Sequence, residues 1–365
     1  QPMEVKGRGF SQSLNLHATG RAKWVVPAGT KRIKGSFAAL SYGKVQPRIL
    51  HTNAVLPLTG IHEESLVELR FPIGRTGRFA EHFPRDCAKT ALTVERQADW
   101  LAAQQRDDGS WPRLDGYTRD GWDTSWCALA LMSCGEPKFD EAVRKAAYRV
   151  AYHDAPSEWT AERTMRLIFL SEYYLKTRDP KILAGIQAAY YQLLDCCKND
   201  FMAGHKVNGF GYGIAGQHYG TGHLALGLAL ASRTPIAVDQ RTIKGVIRHA
   251  GEVCVNGTYA YGRGRRMARD DSRRHAGGHA MSGPGLLAVQ IGGGHATAVE
   301  EFVERMEASM GDGDNSHATS SLAFIFGSLA LAAAAEDAFL EHMRHFRYKL
   351  TLDDNWEGGF LKSAF

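Results

Sequence analysis

Asp123-Thr124-Ser125-Trp126-Cys127-Ala128-Leu129-Ala130-Leu131-Met132-Ser133-Cys134 is a helix-length run that is apolar nearly all round. The next segment, 138–152, is of the opposite kind, with its charges gathered on one face. A helix apolar on every side must be buried on every side, whereas a one-sided helix covers a surface. The two kinds then alternate. Segments 161–176, 219–232, 277–291 and 316–334 repeat the first kind, and 180–198, 239–254, 297–310 and 336–350 the second. Such alternation, five or six times, is what a double ring requires, with inner helices forming a barrel and outer helices wrapped around it. Spacing between the inner helices is uneven, which argues against a short solenoid repeat and leaves an open α-solenoid as the structural alternative.

Upstream of about Pro72 the period changes from helical to two. Ser13-Leu14-Asn15-Leu16-His17, Ala22-Lys23-Trp24-Val25-Val26, Arg32-Ile33-Lys34-Gly35-Ser36-Phe37 and Leu66-Val67-Glu68-Leu69-Arg70-Phe71 alternate as strands do, punctuated by Pro- and Gly-containing turns. The expected fold class is therefore mainly α: an (α/α)5–6 toroid of alternating inner and outer helices over 84–365, preceded by a small antiparallel β unit over 1–75.

Bulk composition narrows the function classes. With 365 residues, 44% hydrophobic and 23% charged, the chain is long enough to bury a substantial core. A net charge of +5 is too mild to argue for nucleic acid, and aromatics do not interleave with the basic run. No apolar run reaches the roughly 18–20 residues that span a bilayer, so no membrane span is expected. The six cysteines form no Cys-x-x-Cys pair, and Cys127 and Cys134 read as small buried hydrophobes. An opening Gln1-Pro2 is compatible with a removed signal peptide, and export to the periplasm or outside the cell is the expectation.

The turns that feed the apolar helices collect acids, histidines, aromatics and glycines. They are 115–123 with Asp120, Trp122 and Asp123; 158–163 with Trp159; 208–223 with Tyr212, Gln217, His218, Tyr219 and His223; 261–279 with Arg263, Arg265, Arg266, His275 and His279; 311–317 with Asp312, Asp314 and His317; and the closing 353–359 with Trp356. Aspartate before a helix can merely cap free N–H groups, and glycines can merely make turns. Capping does not account for His218-Tyr219 with His223, or for arginines beside His275 and His279. The arginine run is compatible with a solvated loop, but guanidinium forks suit carboxylate or sulfate. His275 and His279, four apart, allow a divalent metal geometrically without specifying a third ligand, so no cofactor is expected.

Trp100-Leu101-Ala102-Ala103-Gln104-Gln105 with Asp108-Gly109-Ser110-Trp111, continued by 123–131, resembles the helix-to-turn motif of the terpenoid-cyclase and prenyltransferase toroids. The cyclases' catalytic signature is absent, since there is no Asp-x-Asp-Asp motif, and no prenyltransferase-type zinc site is expected. The resemblance thus implies the (α/α) barrel alone. Val67–Gly74, Phe83–Thr90, Leu170–Leu175 before Arg178-Asp179-Pro180, Gln217–Gly220 and Trp356–Phe360 are similar to an uncharacterised family of bacterial, often exported proteins built on this toroid. That similarity runs from about residue 58 to the end.

By analogy of fold, toroids of this size suggest carbohydrate chemistry. A lyase acting on an anionic polysaccharide would use His218 and Tyr219 as acid and base, with His223 and His275 nearby and Arg263, Arg265 or Arg266 holding the uronate carboxylate. A hydrolase would instead draw two carboxyls from Asp120, Asp123, Asp312 and Asp314. Trp122, Trp159, Tyr212, Gln217, His279, His317 and Trp356 would line the substrate in either case. The alternatives are a non-catalytic glycan-binding or cell-surface scaffold and, third, terpenoid chemistry.

Overall fold

A computed structural model describes the strand segments between residues 2 and 70 together with 79–112, 120–153, 157–197, 201–204, 206–207, 218–254, 257, 283–308 and 320–353. The chain divides into two compact units, Gln1–Ala103 with Leu340–Phe365, and Gln104–Phe339.

Among the described residues of the first unit six strands form: β1 Pro2–Gly7, β2 Phe10–Asn15, β3 Arg21–Val26, β4 Arg32–Tyr42, β5 Pro47–Pro57 and β6 Ser65–Arg70. All pair antiparallel, but in two separate ladders, a four-stranded sheet of order β2-β1-β4-β5 and a two-stranded β3-β6. The β3-β6 ladder sets Trp24 opposite Val67, a pairing between distant residues that period-two patterning cannot announce. This unit runs on through α1 (Ala88–Ala103) and takes in all but the first turn of α11 (Glu336–Asp353), where the sequence suggests a boundary near residue 75. Within it the Phe79 ring meets two cations, with Lys89 Nζ at 5.1 Å and the Arg347 guanidinium carbon at 5.9 Å from its centroid.

The second unit is helical: α2 Asp120–Cys134, α3 Asp140–Tyr152, α4 Thr160–Thr177, α5 Leu183–Leu194, α6 His218–Ala231, α7 Gln240–Glu252, α8 over 283–292, α9 Ala296–Ala308 and α10 Ser320–Ala334. Helices α2, α4 and α6 pack side by side in series, and α3, α5 and α7 cover them, each lying against the helix that precedes it. Burial follows the same division. Thr164–Ser171 of α4 and Gly220–Ala231 of α6 are buried without a break. Helix α7 instead buries Ile243, Val246, Ile247 and Ala250 and exposes Arg241, Lys244 and Arg248. Apolar-all-round segments thus become the inner layer because nothing on them tolerates water. Helix α10 departs from this pattern: Phe326, Ala330 and Leu331 are buried, but Leu329 and Ala332–Ala334 are exposed. Alanine costs little in water, so an alanine-rich end need not be inside.

Long polar side chains lock the layers. Arg166 of α4, 8% exposed, donates to Ala151 O at the end of α3 and to Gln192 Oε1 of α5, both at 3.0 Å. The Ala151 carbonyl has no partner further along its own helix, so this contact satisfies one of the orphan acceptors of a helix C-terminus. Gln187 of α5 exchanges two 2.9 Å hydrogen bonds with the backbone of Ala237, before α7. All six cysteines are free thiols. No described helix is long and apolar enough to cross a membrane.

Candidate functional site

The turns leading into the inner helices are built on one plan. Gly109, at φ +86°, lies so close to α3 that a Cβ there would sit 2.8 Å from the carbonyl carbon of Lys145. Gln105 Nε2 fastens the same turn, donating to Gly109 O at 3.0 Å and to Ala142 O of α3 at 2.8 Å. Asp108 accepts from the Ser110 hydroxyl and N–H at 2.6 and 3.0 Å, and these bonds hold its carboxyl below the usual range. Farther along, the Trp111 N–H donates to Thr124 Oγ1 in the first turns of α2, at 3.3 Å. The cyclase-like motif at 100–111 is therefore structural here, and Trp111 is a fully buried core ring.

The turn before α6 repeats the plan with the parts exchanged. Phe201, at φ +62°, places its ring on α7, where Gly245 makes room for it. Two residues on, the Ala203 N–H donates to Thr221 Oγ1 of α6 at 3.1 Å. Matching Thr221 to Thr124 puts Gly220 at the place of Asp123, and His223 at the place of Trp126. A third turn docks the same way before α8: Gly257, at φ +69°, faces the backbone of Glu301 and Phe302 on α9. The start of α4 joins through Thr160, whose hydroxyl donates to Gly204 O at 2.6 Å. The N-terminal ends of α2, α4 and α6 accordingly lie at one end of the unit, where their dipoles favour negative charge.

At that end the described side chains form an aromatic floor. The rings of Trp122 and Trp126 meet edge to face at 5.9 Å, and Trp126 meets Phe326 of α10 at 5.5 Å. His223 also stands edge-on to Phe326, at 5.3 Å. Trp122 and Trp126 keep part of their surface open, while Phe326 is buried and His223 has none exposed. Asp123, 2% exposed, belongs to the same turn. It is the fourth residue of α2, so an N-cap role does not account for it. Burial and the Asp123 charge push the Cys127 thiol one turn below up to about 12, which keeps it protonated and unsuited as a nucleophile.

The expected site residues divide four ways. Trp122, Asp123 and His223 are brought to this floor. Trp159 lies at the start of α4, 37% exposed, with Lys206 Nζ 4.7 Å from its ring centroid; Lys206 also reaches Glu158 Oε2 at 3.4 Å. Asp120, His218 and Tyr219 fall in the first turns of α2 and α6 by backbone position. Tyr212, Gln217, Arg263, Arg265, Arg266, His275, His279, Asp312, Asp314, His317 and Trp356 lie outside the described residues. Among the described residues no group of His, Cys, Asp and Glu is placed to hold a metal ion.

Turn chemistry in the sequence does not single out Trp126 or Phe326. Trp126 sits inside the stretch that decides the fold, where its size alone sets it apart. Nothing local marks Phe326, whose partners lie 200 and 103 residues away.

Comparison with known proteins agrees with this architecture. The structure superposes on the Lin0763 protein of Listeria innocua with a TM-score of 0.54 and 9% identity, covering 74% of this chain and 88% of that one. It superposes on the type II terpene cyclase MstE of Scytonema at 0.50 and 11%, covering 75% and 82%. A polysaccharide lyase reaches only 0.48, with 16% identity and coverage of 74% and 88%. In sequence, 94 residues are 31% identical to squalene–hopene cyclase of Bradyrhizobium diazoefficiens, 23% of this chain and 14% of that protein's length. At such identities the structural likenesses speak for a cyclase-like (α/α) fold and for nothing beyond it. Residues 90–364 match the family described as a domain of unknown function, DUF6288, and the chain belongs to that family.

Proposed function

We propose that the chain is a carbohydrate-active enzyme that cleaves glycosidic bonds of an anionic polysaccharide laid across the N-terminal ends of its inner helices. This reading takes the two helical layers to close as an (α/α) toroid of five or six pairs. The observation that carries it is the partly open Trp122–Trp126 surface with the Asp123 carboxyl in the same turn. Flat aromatic faces suit the C–H faces of sugar rings, and a nearby carboxyl suits acid–base work at the bond between them. Converging helix N-termini favour a uronate or sulfate substrate over a neutral one. Arg263, Arg265 and Arg266 add guanidinium forks for the same anions. His218 and Tyr219 begin α6 and serve as the acid and base of a lyase-type cleavage; Asp120, Asp312 and Asp314 partner Asp123 if the route is hydrolytic.

Incubation with uronate and sulfated polysaccharides tests the reading. New absorbance from an unsaturated sugar identifies a lyase, and new reducing ends without it a hydrolase. Asp123→Asn is expected to lower the hydrolytic rate about 10²–10⁴-fold, and Tyr219→Phe the lyase rate by a similar factor. Retention on a glycan column without cleavage would replace the enzyme with a glycan-binding scaffold. One observation favours isoprenoid chemistry as a second reading, the 94-residue similarity to squalene–hopene cyclase. Conversion of a C30 isoprenoid to a cyclic product would establish it.

A further inference from the structure

The aromatic floor brings several helices together at one side chain. Trp126 and His223 occupy matching positions on α2 and α6, and one ring from α10, Phe326, lies edge-on against both, at 5.5 and 5.3 Å. The fourth helix at this level, α8, presses on the same residue: a Cβ on Gly283 would fall 2.7 Å from the Phe326 carbonyl carbon. Four helices therefore meet at one residue. Several described residues of the inner layer are wholly enclosed. Ala128 of α2, Thr164 and Leu167 of α4, and His223, Leu224, Ala225 and Leu228 of α6 have no accessible surface. At zero exposure neither solvent nor a water-sized void touches a side chain, so these residues line no bore. Trp126 does keep accessible surface. It lies six residues after Asp120, about 9 Å along the helix from its N-terminal end at 1.5 Å per residue.

We infer that Phe326 is the specificity-determining residue for depth: it ends the recess at the Trp126 ring, so the site takes an extended chain across the helix ends and excludes a bulky apolar guest from between the helices. That the occupant is a glycan rests on the reading above; the closure at Phe326 does not. Removing the ring in Phe326→Ala would leave an apolar void of the kind that binds a benzene-sized molecule, bordered by Trp126 and His223.

Thermal melts with indole and with squalene, each on the full chain, test this. Wild type is expected to show no shift with either probe. Phe326→Ala is expected to melt lower and to regain about 2–4 °C with saturating indole, as a guest that binds only the folded state must stabilise it. Stabilisation of the wild type by squalene overturns the inference, as does an indole shift that is equal in wild type and variant. If Phe326→Ala does not fold, acrylamide quenching of the wild type, with Trp126→Phe to assign the signal, replaces it. A Trp126 emission that is quenched while bulkier apolar probes leave the melt unchanged supports the closure. Uptake of those probes refutes it. Absence of both polysaccharide cleavage and retention on a glycan column, with the indole pattern as expected, sinks the glycan reading and leaves the closure standing.

Discussion

The turns that lead into α2 and α6 are mechanically alike and chemically unlike. In both, a residue with positive φ brings the turn onto the following outer helix, and two residues later an N–H donates to a threonine in the inner helix. Before α2 the glycine is in the turn and meets helix backbone; before α6 the glycine is in the outer helix and meets a phenylalanine ring. The positions beside the two threonines differ more sharply, with Asp123 and Trp126 on one helix and Gly220 and His223 on the other. A shared frame with unlike side chains at one level is how a helical ring acquires a local site without giving up its packing. His223, wholly buried against Phe326, sharpens the point: it stands where Trp126 stands and takes part in the floor as packing.

The largest effect expected is at the two glycines, and it should break the symmetry. Gly109→Ala combines a strained φ with contact against Lys145 backbone and should cost about 3 kcal/mol in chemical unfolding. Gly245→Ala meets the Phe201 ring first, so adding Phe201→Ala should restore much of the loss. No side-chain change at Lys145 should rescue Gly109→Ala, and a rescue there would mean that the two turns do not dock as described.

Next come the threonines. Thr124→Val and Thr221→Val each leave a buried loop N–H without its acceptor, at a cost of about 1–3 kcal/mol. Similar losses in both would confirm a common frame, and a difference above about 1.4 kcal/mol, tenfold in the folding equilibrium, would break it.

Ligand binding should separate the two helices where stability does not. Trp126→Ala is expected to weaken oligosaccharide binding by about tenfold, on the order of 1 kcal/mol for a lost ring contact. His223→Gln should leave that affinity unchanged while lowering the melting temperature, measured by calorimetry and thermal melts on the same samples.

The smallest effect concerns pH and the outer helices. Asp239 caps α7, accepting from the Thr242 hydroxyl at 2.6 Å and from the N–H groups of Arg241 and Thr242, whereas α3 begins at Phe139 without a side-chain cap. The Thr242 hydrogen bonds hold the Asp239 carboxyl below its ordinary range. A depressed folded value means that its stabilisation is present above the unfolded value near pH 4 and is lost as pH falls through the folded one. Asp239→Asn should therefore melt below wild type at pH 7 and converge with it in acid. A gap that persists at low pH would remove the carboxylate as the cause.

Much of the helical layering is legible in the chain alone. The 3.6-residue patterning tells inner from outer helices at 123–134, 161–176 and 219–232, because an apolar residue on every side of a helix leaves only one place for it. The period-two runs of the first 71 residues mark several strands, but neither the separate β3-β6 ladder nor a unit that joins α1 to the end of α11 can be read there. Alanine misleads at the end of α10, since it is nearly indifferent to burial.

Local pattern in the chain settles the alternation of two kinds of helix and marks the turns rich in acids, histidines and glycines. Both are legible because burial demand and turn chemistry are properties of neighbouring residues. Packing of the folded chain settles the rest: that Trp126 and His223 hold matching places and meet at Phe326, that Trp111 is core, and that Asp123 is not a cap. The contacts that Phe326 makes at the floor join residues 103 and 200 positions apart, and contact at that separation is set by how whole helices pack.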